Sequence, residues 1–155
     1  MKSLIRFIIA GVLPLSVIVS YASTSTTPFC LSVLNNTGTA MHFQISQTNH
    51  NVPTITLQND GNVPGNTGNT PVTVACGNVD NLPQANADIV GHFVGTPQRW
   101  PYTPLLSAVF RDGVVIGGST SPGMGTLPNG VGFAIYPPFV APAVFQVCND
   151  STGCP

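Results

Sequence analysis

Charge is nearly absent from this sequence. It has no glutamate and a single lysine, and charged residues fill only 6% of its 155 positions. An ordinary soluble domain carries roughly 25%. Four Lys and Arg stand against five Asp, a formal charge of −1. A nucleic-acid binder needs a basic face, and four bases cannot build one. Long helices and coiled coils need a sustained 3.5- or 3.6-residue apolar period, and no stretch keeps one. Charge-driven disorder needs high net charge and low hydrophobicity, whereas 43% of the residues here are hydrophobic.

Chemical motifs are scarce as well. General acid–base catalysis needs positioned carboxylates or histidines. The carboxylates are five scattered aspartates: Asp60, Asp80, Asp88, Asp112 and Asp150. Asp60 and Asp112 precede glycines, where Asp is expected for turn formation. The Gly117-Gly118-Ser119-Thr120-Ser121 run lacks the closing glycine of a nucleophile elbow and reads as a loop. There is no CxxC pair and no histidine close in sequence to a cysteine, so a zinc site has no sequence support. Residues 59–69 have the polar density of a calcium loop but one carboxylate, and hard cations usually want several. Asp88 and His92 form the one local acid–histidine pair. On a strand they share a face but stand about 13 Å apart from rise alone. The sequence thus nominates no catalytic residue, no metal ligand and no cofactor.

Its N-terminus does carry information. Lys2 and Arg6 precede an apolar run over 7–19, and Ser20-Tyr21-Ala22 offers small residues for cleavage. Residues 1–22 therefore read as a secretory signal peptide. Residues 23–28, rich in Ser and Thr, read as a flexible leader. Cleavage after Ala22 would leave two arginines, Arg99 and Arg111, against five aspartates, a formal −3 with no lysine. Such a surface is kept wet by amides and hydroxyls, and it opposes self-association less than a charged one does. The expected location is secreted, periplasmic or extracellular, with no membrane contact after cleavage.

Four cysteines remain: Cys30, Cys76, Cys148 and Cys154. An even number behind a signal peptide implies two disulfides. The favoured pairing joins Cys30 to Cys76 and Cys148 to Cys154, the second closing a five-residue turn. The rival joins Cys30 to Cys148 and Cys76 to Cys154.

From residue 29 onward the chain is a series of short apolar or alternating segments divided by Gly, Pro and Asn. Sixteen Gly and fifteen Pro supply the breaks. Strands are expected over 29–34, 40–47, 54–57, 71–76, 89–94, 105–111, 114–117, 131–136 and 143–148. In the second of these Met41, Phe43 and Ile45 share one face, and His42, Gln44 and Ser46 the other. Asp112-Gly113 between two apolar runs predicts a type I′ hairpin. The one modest helical stretch is 82–88. The expected fold is all-β, a single antiparallel β-sandwich or flattened barrel of about eight or nine short strands over residues 29–155.

One segment suggests binding. Residues 95–104 hold the sole Trp, one of the two arginines outside the signal peptide, and three prolines. Aromatic and Arg side chains dominate interface hot spots, and stiff loops lose less entropy on binding. Arg99, Trp100 and Tyr102 are the candidate binding residues, with Trp100 as a core plug the competing possibility. The function expected is a secreted, non-enzymatic protein that binds a carbohydrate or protein surface or serves in adhesion. The alternatives are a self-assembling subunit of an extracellular fibre or coat, and a secreted hydrolase or toxin-like effector whose His and Asp meet only in three dimensions. Asn35 and Asn149 begin glycosylation sequons.

Overall fold

Alternation sets the architecture. In β1 (Thr26–Asn35), Phe29, Leu31 and Val33 are buried while Thr26, Pro28 and Cys30 are exposed. Successive side chains on a strand point to opposite faces, so one face of β1 enters the core. The computed structural model describes residues 25–81, 84–97, 104–121, 124–127, 130–136, 143–149 and 154. The further strands are β2 (Met41–Ile45), β3 (Thr54–Leu57), β4 (Asn62–Val63), β5 (Val72–Asp80), β6 (Ala85–Phe93), β7 (Leu105–Arg111), β8 (Val114–Ser121), β9 (Met124–Thr126), β10 (Gly132–Tyr136) and β11 (Val144–Asn149).

They form two sheets packed face to face, a β-sandwich. One has six strands in the order β3-β5-β1-β11-β10-β9, and the other five in the order β4-β2-β6-β7-β8. Every pairing is antiparallel except β1 with β11, the two strands at the centre of the larger sheet, which run parallel. Phe29 of β1 meets Phe110 of β7 with ring centres 4.9 Å apart, and Phe93 of β6 meets Phe133 of β10 at 4.8 Å. These tilted contacts tie the sheets together across the core. Met41, Phe43, Ile89, Leu106, Phe145 and Val147 fill the space between them. Gly91 lies opposite Phe43, and a Cβ there would come within 2.4 Å of the Phe43 ring. The ring occupies the volume that the missing side chain leaves.

The Asp112-Gly113 hairpin forms as the sequence predicts. Arg111 pairs with Val114, and both turn residues have positive φ, 49° and 78°, as a type I′ turn requires. Cys30 and Cys76 occupy paired positions on β1 and β5, their Cα atoms 4.1 Å apart, and are joined as a disulfide. Cys148 is bonded to Cys154, and among the described residues no cysteine is free. Both disulfides follow the favoured pairing, and they suit an oxidising compartment. Among the described residues no helix is long and apolar enough to cross a membrane.

The structure departs from expectation in five places. Residues 85–88 are strand, not helix, because Ala85 and Ala87 alternate into the core and pair with Phe110 and Ala108. Gly117 to Ser121 continue β8 instead of forming a loop, since β7 offers a full ladder of partners and small side chains lose little by joining it. β5 runs on to Asp80, held by β1 and β3 on either side. Thr26, Thr27 and Pro28, expected in the leader, belong to β1. There Ser25 accepts a backbone bond from Asn81, and Thr27 Oγ1 donates to Asn81 Oδ1 at 2.7 Å. Met124 to Thr126 and Asn62-Val63, expected as loop, are the edge strands β9 and β4. Residues 1–24, which include the expected signal peptide, lie outside the described residues.

Candidate functional site

The inner face of the five-stranded sheet is apolar, so its outer face carries the polar residues of the same strands. Residues directly opposite on paired strands project from the same face. The register therefore arranges this outer face in rows. One row runs Asn62, His42, His92 across β4, β2 and β6. The next runs Gln44, Val90, Leu105, Ser121, and the third Asp88, Ser107, Ser119. The fourth places His50 beside Asn86 and Val109. These rows carry amides, hydroxyls and imidazoles beside the apolar Val90, Leu105 and Val109, with Asp88 as their one carboxylate.

That carboxylate is deeply covered. Asp88 is only 6% exposed. The connection after β2 folds over it. Thr48 Oγ1 donates to Asp88 Oδ2 at 3.1 Å, the Asp88 amide donates to Asn49 Oδ1 at 2.7 Å, and the Ser46 amide donates to the Asp88 carbonyl. Asp88 Oδ1 and Asn86 Oδ1, two residues apart on the same face, are buried without a hydrogen-bond partner among the described residues. Unsatisfied buried acceptors carry a desolvation penalty of about 1–3 kcal/mol each.

At the other end of β6, His42 and His92 stand opposite each other. Their ring centres are 5.5 Å apart, with planes tilted by 55°. Both are half-buried. Burial, and then the neighbouring His42, hold the His92 imidazole below its ordinary pKa of 6.5. His42 Nδ1 is buried and, among the described residues, has no hydrogen-bond partner. Imidazoles supply nitrogen lone pairs and N–H groups for hydrogen bonding or metal ligation.

The candidate binding residues Arg99, Trp100 and Tyr102 lie in 98–103, outside the described residues. What is described is where the chain leaves and returns. β6 ends one residue after His92, Thr96 turns back to bond the Phe93 carbonyl, and Pro104, whose carbonyl accepts from Gly91, leads into β7. The connection holding Trp100 thus joins the strand ends beside the histidine pair. Neither His42 nor His50 is hydrogen-bonded or ion-paired to an aspartate among the described residues. Sequence reasoning placed His42 on an outer face but did not find its partner. His92 lies 50 residues further on, and only the β2–β6 register brings the two together. No family model, curated protein or solved structure matches the chain.

Proposed function

We propose that the protein is a secreted binding protein. Its ligand is a neutral, hydroxyl-rich surface such as a carbohydrate, bound on the outer face of the five-stranded sheet and the adjoining 98–103 connection. The observation that carries the reading is the make-up of that face. Donors and acceptors from His42, Gln44, Asn62 and Ser119 are displayed with almost no net charge. Sugars are recognised by such planar amides and hydroxyls together with flat aromatic faces. Trp100 and Tyr102 belong to the connection between the ends of β6 and β7 beside this face. The hydrolase alternative has less support, since among the described residues neither His42 nor His50 is bonded to an aspartate. A glycan array probed with purified protein tests the reading. Binding to neutral glycans that is lost in Trp100→Ala and in Gln44→Ala, both melting near wild type, supports it. An array with no neutral glycan retained overturns it.

A self-assembling subunit is favoured by a different observation. β8 ends its sheet, has no charged residue, and exposes Val114 by 64% and Ile116 by 52%. Uncharged edge strands with apolar side chains are templates for pairing with another chain. A bulge at Ile116, which is skipped between the Val109–Gly117 and Phe110–Val115 pairs, interrupts the ladder with β7 at that residue. Light scattering across a hundredfold concentration range decides: a rising mass that Ile116→Lys suppresses supports assembly, and a constant monomer mass opposes it.

A further inference from the structure

We infer that His42 and His92 form a chelating site for a divalent transition-metal ion of the zinc, copper or nickel type. The two side chains share one register position on neighbouring antiparallel strands, so rigid backbone on both sides sets their separation. Two imidazoles bound to one zinc ion through nitrogens at about 2.0–2.1 Å bring their ring centres about 5–6 Å apart. The observed separation is 5.5 Å. Aromatic ring contact alone also gives distances of about 4.5–7 Å, so distance by itself does not choose between the two. The hydrogen bonding does. His42 Nδ1 is buried and has no hydrogen-bond partner among the described residues. A ring contact alone leaves that nitrogen unsatisfied among the described residues, whereas an ion bound to it takes up its lone pair.

Nitrogen donors select zinc, copper and nickel over magnesium and calcium. Asn62 extends the row on the far side of His42 and uses its Nδ2 to donate to the Asn59 carbonyl at 3.1 Å. Its carbonyl oxygen is the nearest further donor that the register supplies. Among the described residues no group of three His, Cys, Asp or Glu could hold a metal. The site is therefore an open chelating pair, with the other positions on the ion left for water or for an oxygen of a bound ligand.

The test is calorimetric titration of tag-free, EDTA-treated protein with zinc chloride, repeated with nickel chloride and with calcium chloride. Saturable binding of one zinc per chain is expected, with nickel also bound and calcium giving no heat. His42→Gln and His92→Gln should each weaken zinc binding at least tenfold, while His50→Gln should leave it unchanged. Each variant should melt near the wild-type temperature in EDTA, which separates loss of a ligand from loss of the fold. No zinc binding up to millimolar concentration overturns the inference. So does zinc binding that survives both His42→Gln and His92→Gln.

Discussion

Thr37 Oγ1 donates a hydrogen bond of 2.7 Å to Asn35 Oδ1, and both residues are fully buried. The acceptor asparagine and the threonine of one glycosylation sequon are therefore bonded to each other inside the protein. The Asn35 amide nitrogen is used as well, donating to the Thr39 and Pro64 carbonyls. Asn35 thereby pins the β1–β2 connection to the loop that follows β4. Folded protein from a glycosylating host should carry no sugar at Asn35, a result that peptide mass spectrometry reads directly. Asn35→Ala strands the Pro64 carbonyl and the Thr37 amide, which donates to Asn35 Oδ1 at 3.1 Å, while the Thr37 hydroxyl keeps the Thr39 carbonyl. It should lower stability by about 2–4 kcal/mol in urea unfolding, given about 1–3 kcal/mol for each buried group left unsatisfied.

The two disulfides should contribute unequally. Cys30–Cys76 spans 46 residues and Cys148–Cys154 spans 6. In the chain-entropy description the first removes about 4 kcal/mol of unfolded-state freedom and the second about 2 kcal/mol. A Cys30→Ala/Cys76→Ala double variant should therefore lose more stability than Cys148→Ala/Cys154→Ala when the two are unfolded in urea. Native protein isolated without reductant should show no titratable thiol.

Core substitutions should separate removal from crowding. Phe110→Ala deletes a buried ring that packs on Phe29, and should cost about 3–5 kcal/mol. Gly91→Ala inserts a methyl within 2.4 Å of the Phe43 ring, and overpacking of this sort costs about 1–3 kcal/mol. Combining Gly91→Ala with Phe43→Leu should restore part of the loss, because the smaller side chain frees the space that the methyl needs. Melting of the three variants checks this.

Stability should fall mildly on acidification through the histidine range. The pKa of His92 in the folded protein is below 6.5, chiefly through burial and then through His42. Between those values the unfolded chain binds more protons than the native one, so stability rises with pH. The His92 contribution is complete above about pH 6.5 and is lost as pH drops below it, levelling off under the folded pKa. Denaturant unfolding in EDTA at pH 8 and pH 5 should show the difference, and His92→Gln should reduce it.

Local signals in the sequence were enough for much of the fold. Period-2 alternation marked Met41 and Phe43 as core and His42 and Gln44 as outward, because each strand residue faces opposite to the next. Asp112-Gly113 named its own turn, because only residues tolerant of positive φ fit there. The even cysteine count indicated two disulfides, and the short Cys148–Cys154 spacing favoured a local ring. Each of these properties is decided within a few residues. The tertiary structure decided the rest. Ala85 to Asp88 have no strong strand propensity, and they are extended because β7 provides partners and Phe110 needs small neighbours. Gly117 to Ser121 are extended for the same reason. Asp88 is buried because the connection after β2 folds over it, which nothing near residue 88 encodes. His42 meets His92 only through the register of β2 on β6. That register follows from how both strands bury Met41, Phe43, Ile89 and Phe93 in one shared core. A one-residue slip would turn every one of those side chains to the wrong face, so the packing of the whole sandwich fixes a pairing that neither segment specifies alone.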